Sequence, residues 1–224
     1  MDEIIRVGIV DSDDDIRAGR KIVLQSSPRV LVSLEVASSA EILERFTGYL
    51  LDVLVIDQRL KGMSGIDVIR RLSSLKVENA IATRLLLTAP FASERLEFDA
   101  LTAGATAFVA QEQGAQALIE AVHSLATRRR QYSLRALERL AQRLGDAQTS
   151  DPALDAFLAS LAESQRRIIE AVVSGTSIRE VSEAENEPAY RIRKQVESAL
   201  ARFGLSTLEQ LQIRFIRSGR LGSA

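Results

Sequence analysis

The stretch from Val7 to Arg17 reads VGIVDSDDDIR: an apolar run, then four aspartates in five positions with only Ser12 between them. Clustered carboxylates can hold a divalent cation, supply a nucleophile, or neutralise the exposed N–H groups that open a helix. Four like charges repel, so a metal ion, a helix N-terminus or open solvent must offset them. A further aspartate, Asp57, closes the apolar run DVLVID. Thr88 closes RLLLT, and Gln111 follows TAFVA. Carboxyl, hydroxyl and amide groups therefore recur at the same place in the pattern, directly after a β-rich run.

Those runs define the elements that position the polar groups. IIRVGIV, VLVSLEV, DVLVID, RLLLT and TAFVA read as strands. Between them, helical periodicity covers Asp13 to Gln25, Ala40 to Leu50, Ile66 to Leu75, Glu94 to Ala103 and Ala115 to Arg128. Ser38/Glu41 and Ser64/Asp67 carry the Ser-x-x-acid signature of a helix start. Five strand–helix alternations predict a parallel sheet with helices on both faces, and the nearly all-apolar DVLVID and RLLLT suit its centre. In such sheets ligands sit outside the carboxyl ends of the strands. Asp11, Ser12, Asp13, Asp57, Thr88 and Gln111 then converge on one crevice if the strand order reverses near the first and third strands.

Bulk composition narrows the classes. The chain of 224 residues has a formal net charge of −1 and no cysteine, which excludes disulfides, thiolate metal sites and cysteine nucleophiles. The charge is uneven. Residues 1–122 hold 13 Lys and Arg against 18 Asp and Glu, whereas residues 161–224 hold 10 against 8. An acidic front and a mildly basic back suggest two modules with different partners. The N-terminal MDEIIR lacks a signal-peptide profile, and no apolar run reaches the roughly 18 residues that would span a bilayer. The expectation is a soluble cytoplasmic protein without a membrane partner.

The remaining chain predicts helices alone. Three arginines, 128–130, open a polar segment in which Leu134, Leu137, Ala141 and Leu144 form a narrow apolar stripe. It reads as a linker helix packing on its own protein or as a dimer contact. From Leu154 onward come ESQRRIIEAVVSG, ended by Gly175; TSIREVSEA, opened by a Ser177/Glu180 capping box; PAYRIRKQVESALARFG, with Pro188 in its first turn; and a last helix opened by Ser206, Thr207 and Glu209. The short ENE connection makes the middle pair a helix-turn-helix candidate.

With those residues in place, the first part resembles the receiver domain of two-component response regulators: Asp11, Asp57 in VLVIDQRLKGMSGIDVI, Thr88 in LLLTA, and AGATAFVA. GTSIREVSEA followed by YRIRKQVESALARFGLS resembles the LuxR-type helix-turn-helix that ends NarL-like regulators. The resemblance implies an α/β plus all-α protein: a flavodoxin-like, doubly wound five-stranded parallel receiver at 1–126, a helical linker at 127–150 and a DNA-binding domain at 151–224. It implies Asp57 as phosphoacceptor, Mg²⁺ held by Asp11, Asp57 and the carbonyl of Arg59, and Thr88 and Phe108 as switch residues.

Three family positions differ. Ser12 stands where a second metal-binding acid belongs, Gln111 where the phosphoryl-gripping lysine belongs, and Lys61 where a proline is usual. With one carboxylate and the fixed cation gone, stabilisation of a transferring phosphoryl group is weakened twice. The pocket is expected to be vestigial, to bind Mg²⁺ weakly with help from Asp13, and to leave Asp11 and Asp57 facing each other unneutralised, so that one of them gains affinity for a proton or cation. Asp13, Asp14 and Asp15 read first as acids that cap the first helical turn, a swing of Asp13 into the metal site being the alternative.

In the second part, Ile192, Val196, Ala199, Leu200 and Phe203 share one face of a helix. Tyr190, Arg191, Lys194, Glu197 and Ser198 lie opposite, with Arg193 on the flank. By resemblance Arg193, Lys194 and Glu197 face DNA bases, and Arg179 on the preceding helix faces a phosphate. Leu208, Leu211, Ile213 and Phe215 are expected to form a dimer surface. The reading is a dimeric, non-enzymatic transcriptional regulator on double-stranded DNA, uncoupled from the ordinary phosphorylation cycle. Two alternatives stand: a protein-interaction regulator of a sigma factor or kinase, motivated by Glu185 and Glu187 in the turn, or a phosphorylation-dependent regulator with weak Mg²⁺ binding and a sensor-kinase partner. No glycine-rich phosphate loop follows the first strand, which argues against a nucleotide-using enzyme.

Overall fold

The computed structural model describes residues 4–79, 81–127, 132, 134–144 and 149–221. The arginines at 128–130 lie outside this set. The chain divides into two compact units, residues 1–131 and 132–224.

The first unit contains β1 (Ile5–Val10), α1 (Asp14–Gln25), β2 (Val30–Val36), α2 (Ser39–Arg45), β3 (Val53–Asp57), α3 (Gly65–Asn79), β4 (Arg84–Ala89), α4 (Glu94–Ala103), β5 (Ala107–Ala110) and α5 (Gly114–Ala126). All strand pairs are parallel, in the order β2-β1-β3-β4-β5. The direction of winding therefore reverses at β1, between β2 and β3, which brings the ends of β1 and β3 together. Alternation along each strand feeds two cores. Val7, Ile9, Val53 and Val55 pack with Leu24 of α1 and Leu118, Val122 and Leu125 of α5, whereas Leu54, Ile56 and Leu87 pack with Ile42, Val68, Leu72 and Ala100 on the other face. Helix starts follow the sequence signatures: Ser38 accepts from the Glu41 N–H, and Asp13 accepts from the N–H groups of Asp15 and Ile16.

The second unit is helical: α6 (Leu134–Arg143), α7 (Pro152–Ala159), α8 (Glu163–Val173), α9 (Ile178–Glu185), α10 (Ala189–Arg202) and α11 (Leu208–Arg217). Its core joins Leu154, Phe157, Ile169, Val173, Val181, Ile192, Leu200, Leu211 and Phe215. Ser177/Glu180 and Thr207/Gln210 form capping boxes. One of the two readings of the 127–150 segment, a helix packing on its own protein, matches the structure, and one expectation is revised. The segment read as a linker contributes α6, which packs on α11 within this unit and buries Leu137, Leu140 and Ala141. Consequently Leu211, Ile213 and Phe215, expected on a dimer surface, are at most 4% exposed. Leu211 and Phe215, four residues apart, serve the unit's core, and α6 packs along α11 as well, so these side chains offer nothing to a second copy.

Asp151 ties the ends of this unit together. It caps α7 through the Leu154 N–H and accepts two hydrogen bonds of 2.6 Å from the Arg214 guanidinium. Arg214 also lies 4.5 Å from the Phe203 ring centroid, and Phe203 stacks on Phe157 at 4.4 Å.

Two predictions come from this packing. Gly65 opens α3 with its Cα against β3, where a Cβ would overlap the Asp57 carbonyl oxygen and Gln58 Cα. Gly65→Ala is expected to destabilise the first unit by about 1–3 kcal/mol in urea unfolding. The Arg214 guanidinium holds the Asp151 carboxyl below its ordinary value of 3.8. A depressed folded-state value contributes stability that is complete above the ordinary value and lost as pH falls through the folded one. Asp151→Asn keeps the cap and removes the charge. It should cost about 1–3 kcal/mol at neutral pH, with wild type and variant converging in unfolding curves taken at progressively more acid pH.

Candidate functional site

The β1 and β3 ends meet as the sequence predicts. Asp11 and Asp57 are both 2% exposed, beside an open depression of about 490 Å³ also lined by Ser12, Asp13, Arg59 and Lys61. Between the two carboxylates lies a group the sequence reading did not place there. Arg20, from the middle of α1, is 7% exposed, and its guanidinium donates 2.5 Å to Asp11 Oδ2 and 2.6 Å to Asp57 Oδ2. The expectation that the two acids face each other unneutralised is therefore corrected: the pocket keeps a fixed cation, supplied by α1. A signal for it exists in the sequence. Ile16, Arg20 and Leu24 are spaced four apart, so the arginine occupies the inward stripe of an amphipathic helix, where a lone cation requires a partner.

The rest of the pocket is densely bonded. Asp57 Oδ1 accepts from the Arg59 N–H at 2.8 Å; Oδ2 accepts from Arg20, from Gln111 Nε2 at 3.1 Å and, marginally, from Thr88 Oγ1 at 3.4 Å. Thr88 Oγ1 also lies 3.3 Å from the Ile56 carbonyl. Asp11 Oδ1 accepts from the Asp13 N–H at 2.9 Å, and Arg17 donates to the Asp11 carbonyl at 2.6 Å. Burial pushes the Asp11 carboxyl above its ordinary value, opposed by the Asp13 N–H and the Arg20 charge. The charge of Asp57 raises it too, but burial is the larger cause.

Asp13 lines the depression, with one carboxylate oxygen drawn to the helix start. Its Oδ1 is taken up by the first turn of α1, and Asp14 and Asp15 follow in that turn. Among the described residues no group of three or more acids or histidines is placed to share a metal ion. Mg²⁺ requires about six oxygens in a small octahedron. Here the two buried carboxylates that would hold the ion are already bridged by one guanidinium, and in that arrangement the donor set does not fit it. Phe108 is half-buried and packs on the α2–α4 side of the sheet. The single histidine, His123, hydrogen-bonds Ser27 at 2.8 Å, away from the acids.

Two departures from the receiver pattern prove to be one interaction. Ser12 Oγ accepts from the backbone N–H of Lys61 at 2.7 Å. A proline at 61 has no N–H and could not donate. The serine thus fastens the loop after β3 to the loop after β1, across the mouth of the pocket.

In the second unit, Arg179, Tyr190, Arg191, Arg193, Lys194, Glu197 and Ser198 are all exposed. Arg179 pairs with Glu183 at 2.9 Å. Arg191, Arg193 and Lys194 make no ion pair among the described residues, and Arg191 and Lys194 border a groove of about 310 Å³ between α8 and α10. The turn glutamates are accounted for internally: Glu185 pairs with Arg167 at 3.2 Å, and Glu187 accepts from Gln195 at 2.8 Å. Asn186 between them takes the left-handed conformation that ends α9.

Removing the loop fastening has a local readout. Ser12→Ala is expected to speed hydrogen exchange at the Lys61 amide and to cost about 0.5–1.5 kcal/mol, with exchange in the core of β3 rising no more than that global loss requires.

Comparison with known proteins agrees with this architecture. Residues 7–123 match the response regulator receiver domain. The DNA-binding transcriptional activator DevR/DosR of Mycobacterium tuberculosis is 26% identical over 211 residues, 94% of this chain and 93% of that protein. The nitrate/nitrite response regulator NarP of Escherichia coli is 23% identical over 95% and 94%. Among solved structures, the signal receiver domain of NarL from Mycobacterium tuberculosis, 28% identical, superposes with a TM-score of 0.51 over 56% of this chain and 98% of its own. The RcsB response regulator in complex with DNA, 15% identical and similar in fold, gives 0.53 over 94% and 98%. The chain belongs to the response regulator receiver family, and its receiver followed by a helical unit is the build of a NarL-type response regulator.

Proposed function

We propose that this protein is a DNA-binding transcriptional regulator, acting as a dimer, whose receiver does not run the ordinary aspartyl-phosphate cycle. The observation that carries the DNA-binding part is the exposed face of α10, where Arg191, Arg193 and Lys194 form no ion pair among the described residues while Ile192, Val196 and Leu200 anchor the opposite face in the core. A helix held this way by its apolar side presents cations to phosphates and to guanine edges in a major groove. Glu197 can accept from cytosine. Arg179, at the start of α9, would exchange Glu183 for a phosphate. The slight excess of basic residues in this unit gives weak affinity per copy, which favours two copies on adjacent half-sites. Support also comes from full-length relatives whose names describe transcriptional regulators.

The receiver reading rests on the engagement of Asp57. Its outer oxygen is shared by Arg20, Gln111 and Thr88, and its inner one is held by the Arg59 amide. Attack on a phosphoryl donor requires a free oxygen lone pair and a cation that can follow the charge to the transferring group. Gln111 offers a dipole where that chemistry needs an ammonium. The protein-interaction alternative loses its motive, because Glu185 and Glu187 are used within the unit.

In gel shifts with genomic fragments, the full chain should retard DNA. Arg193→Ala with Lys194→Ala should abolish the shift at physiological salt and lower the slope of log K against log salt by about two. Asp57→Asn, checked for native circular dichroism, should leave the footprint unchanged, and acetyl phosphate with Mg²⁺ should add no phosphoryl mass. A lost footprint in Asp57→Asn, or a stable phosphorylated form, would restore phosphorylation control.

A further inference from the structure

We propose that Arg20 is a resident cation standing where a divalent metal would be needed, so that the acid pocket is charge-compensated without metal. This deepens the reading of the receiver given above and is independent of whether the second unit binds DNA.

Three observations meet in this assignment. The guanidinium contacts both carboxylates at once, one nitrogen to each, which is the bridging role a shared metal ion plays between two acids. The side chain is fixed rather than visiting. Arg20 is as buried as the core, and it borders an open, mostly apolar pocket of about 300 Å³ lined by Ile16, Val23, Val109 and Leu118 together with Thr88 and Gln111. Finally, two side chains next to the acids are drawn to other tasks: Ser12 Oγ accepts from the Lys61 amide, and Asp13 Oδ1 accepts from the first turn of α1. A metal entering would have to break both ion pairs of a buried guanidinium with these acids, which is costly. Arginine suits the task because its planar fork reaches two carboxylates and its charge does not titrate.

The assignment also connects the sequence changes. With a cation rooted in α1, a second acid at position 12 has no ion to hold, and a serine there is free to fasten the neighbouring loop. A lysine at 111 would bring a second cation to Asp57 beside Arg20, whereas the half-buried Gln111 amide donates to Asp57 without adding charge.

The test is competition between arginine and metal for the same two acids. Mn²⁺ and Mg²⁺ are titrated onto the full chain, with thermal unfolding and paramagnetic broadening of the Asp11, Asp57 and Arg59 amides as readouts. The wild type should show neither a metal-dependent rise in Tm nor selective broadening at millimolar metal. Arg20→Ala should unfold at lower temperature without metal and gain both responses on addition of Mg²⁺ or Mn²⁺. Arg20→Lys, keeping a charge but not the fork, should respond less than Arg20→Ala. Selective broadening in the wild type, or an Arg20→Ala protein that gains no metal response, overturns the proposal. If Arg20→Ala does not fold, the near-isosteric Arg20→Met replaces it, and the wild-type titration alone still decides whether metal enters. Neither readout involves DNA, so failure here is separable from failure of the DNA-binding proposal.

Discussion

The bridge from Arg20 to Asp11 and Asp57 is the constraint around which the receiver unit is arranged. A parallel sheet whose winding reverses at β1 delivers two strand-end carboxylates to one buried place. Burial and the neighbouring Asp57 charge push the Asp11 carboxyl up, and the Arg20 charge opposes them. The cation comes from α1, one of the helices covering that face of the sheet, and its position fixes how α1 must lie. The hydrogen bonds around it follow from the same need. Backbone N–H groups of Asp13 and Arg59 and the amide of Gln111 add further hydrogen bonds to the two carboxylates.

This arrangement changes what the pocket can do. A metal-dependent phosphoryl site needs mobile, replaceable charge: an ion that can meet an incoming phosphate and an ammonium that can grip it. Here the positive charge is covalently part of the helix and already satisfied. Ser12 adds a second restraint by holding the loop after β3 through Lys61. Substitutions that read separately along the chain meet in space: Ser12 bonds the Lys61 amide, and Gln111 donates to Asp57.

The second unit repeats the theme with different chemistry. Asp151 and Arg214 clamp the entry of α7 to α11, and the guanidinium lies against Phe203, which stacks on Phe157. The clamp and the packing of α6 on α11 leave α10 as a well-anchored helix with a cationic outer face. The turn before it is held by Glu185 and Glu187 through Arg167 and Gln195, so acids that look misplaced for a DNA-facing turn are structural partners.

The amino-acid sequence by itself determined the alternation of strands and helices, the caps at Ser38, Asp13 and Ser177, and the meeting of Asp11 with Asp57. These depend on local periodicity and on the rule that strand ends converge where winding reverses. The role of Arg20 depended on which face of α1 turns inward and how deep it sits. It was legible only as an arginine in an apolar stripe, a pattern that a solvated or snorkelling side chain also produces. The burial of Leu211, Ile213 and Phe215 was decided by tertiary packing, because an apolar helical face is the same in sequence whether its own domain or a second copy covers it. The pairing of Ser12 with Lys61 was likewise out of reach. Contacts between residues 49 positions apart are set by how two loops approach in space, and nothing in the local sequence of either loop specifies that approach.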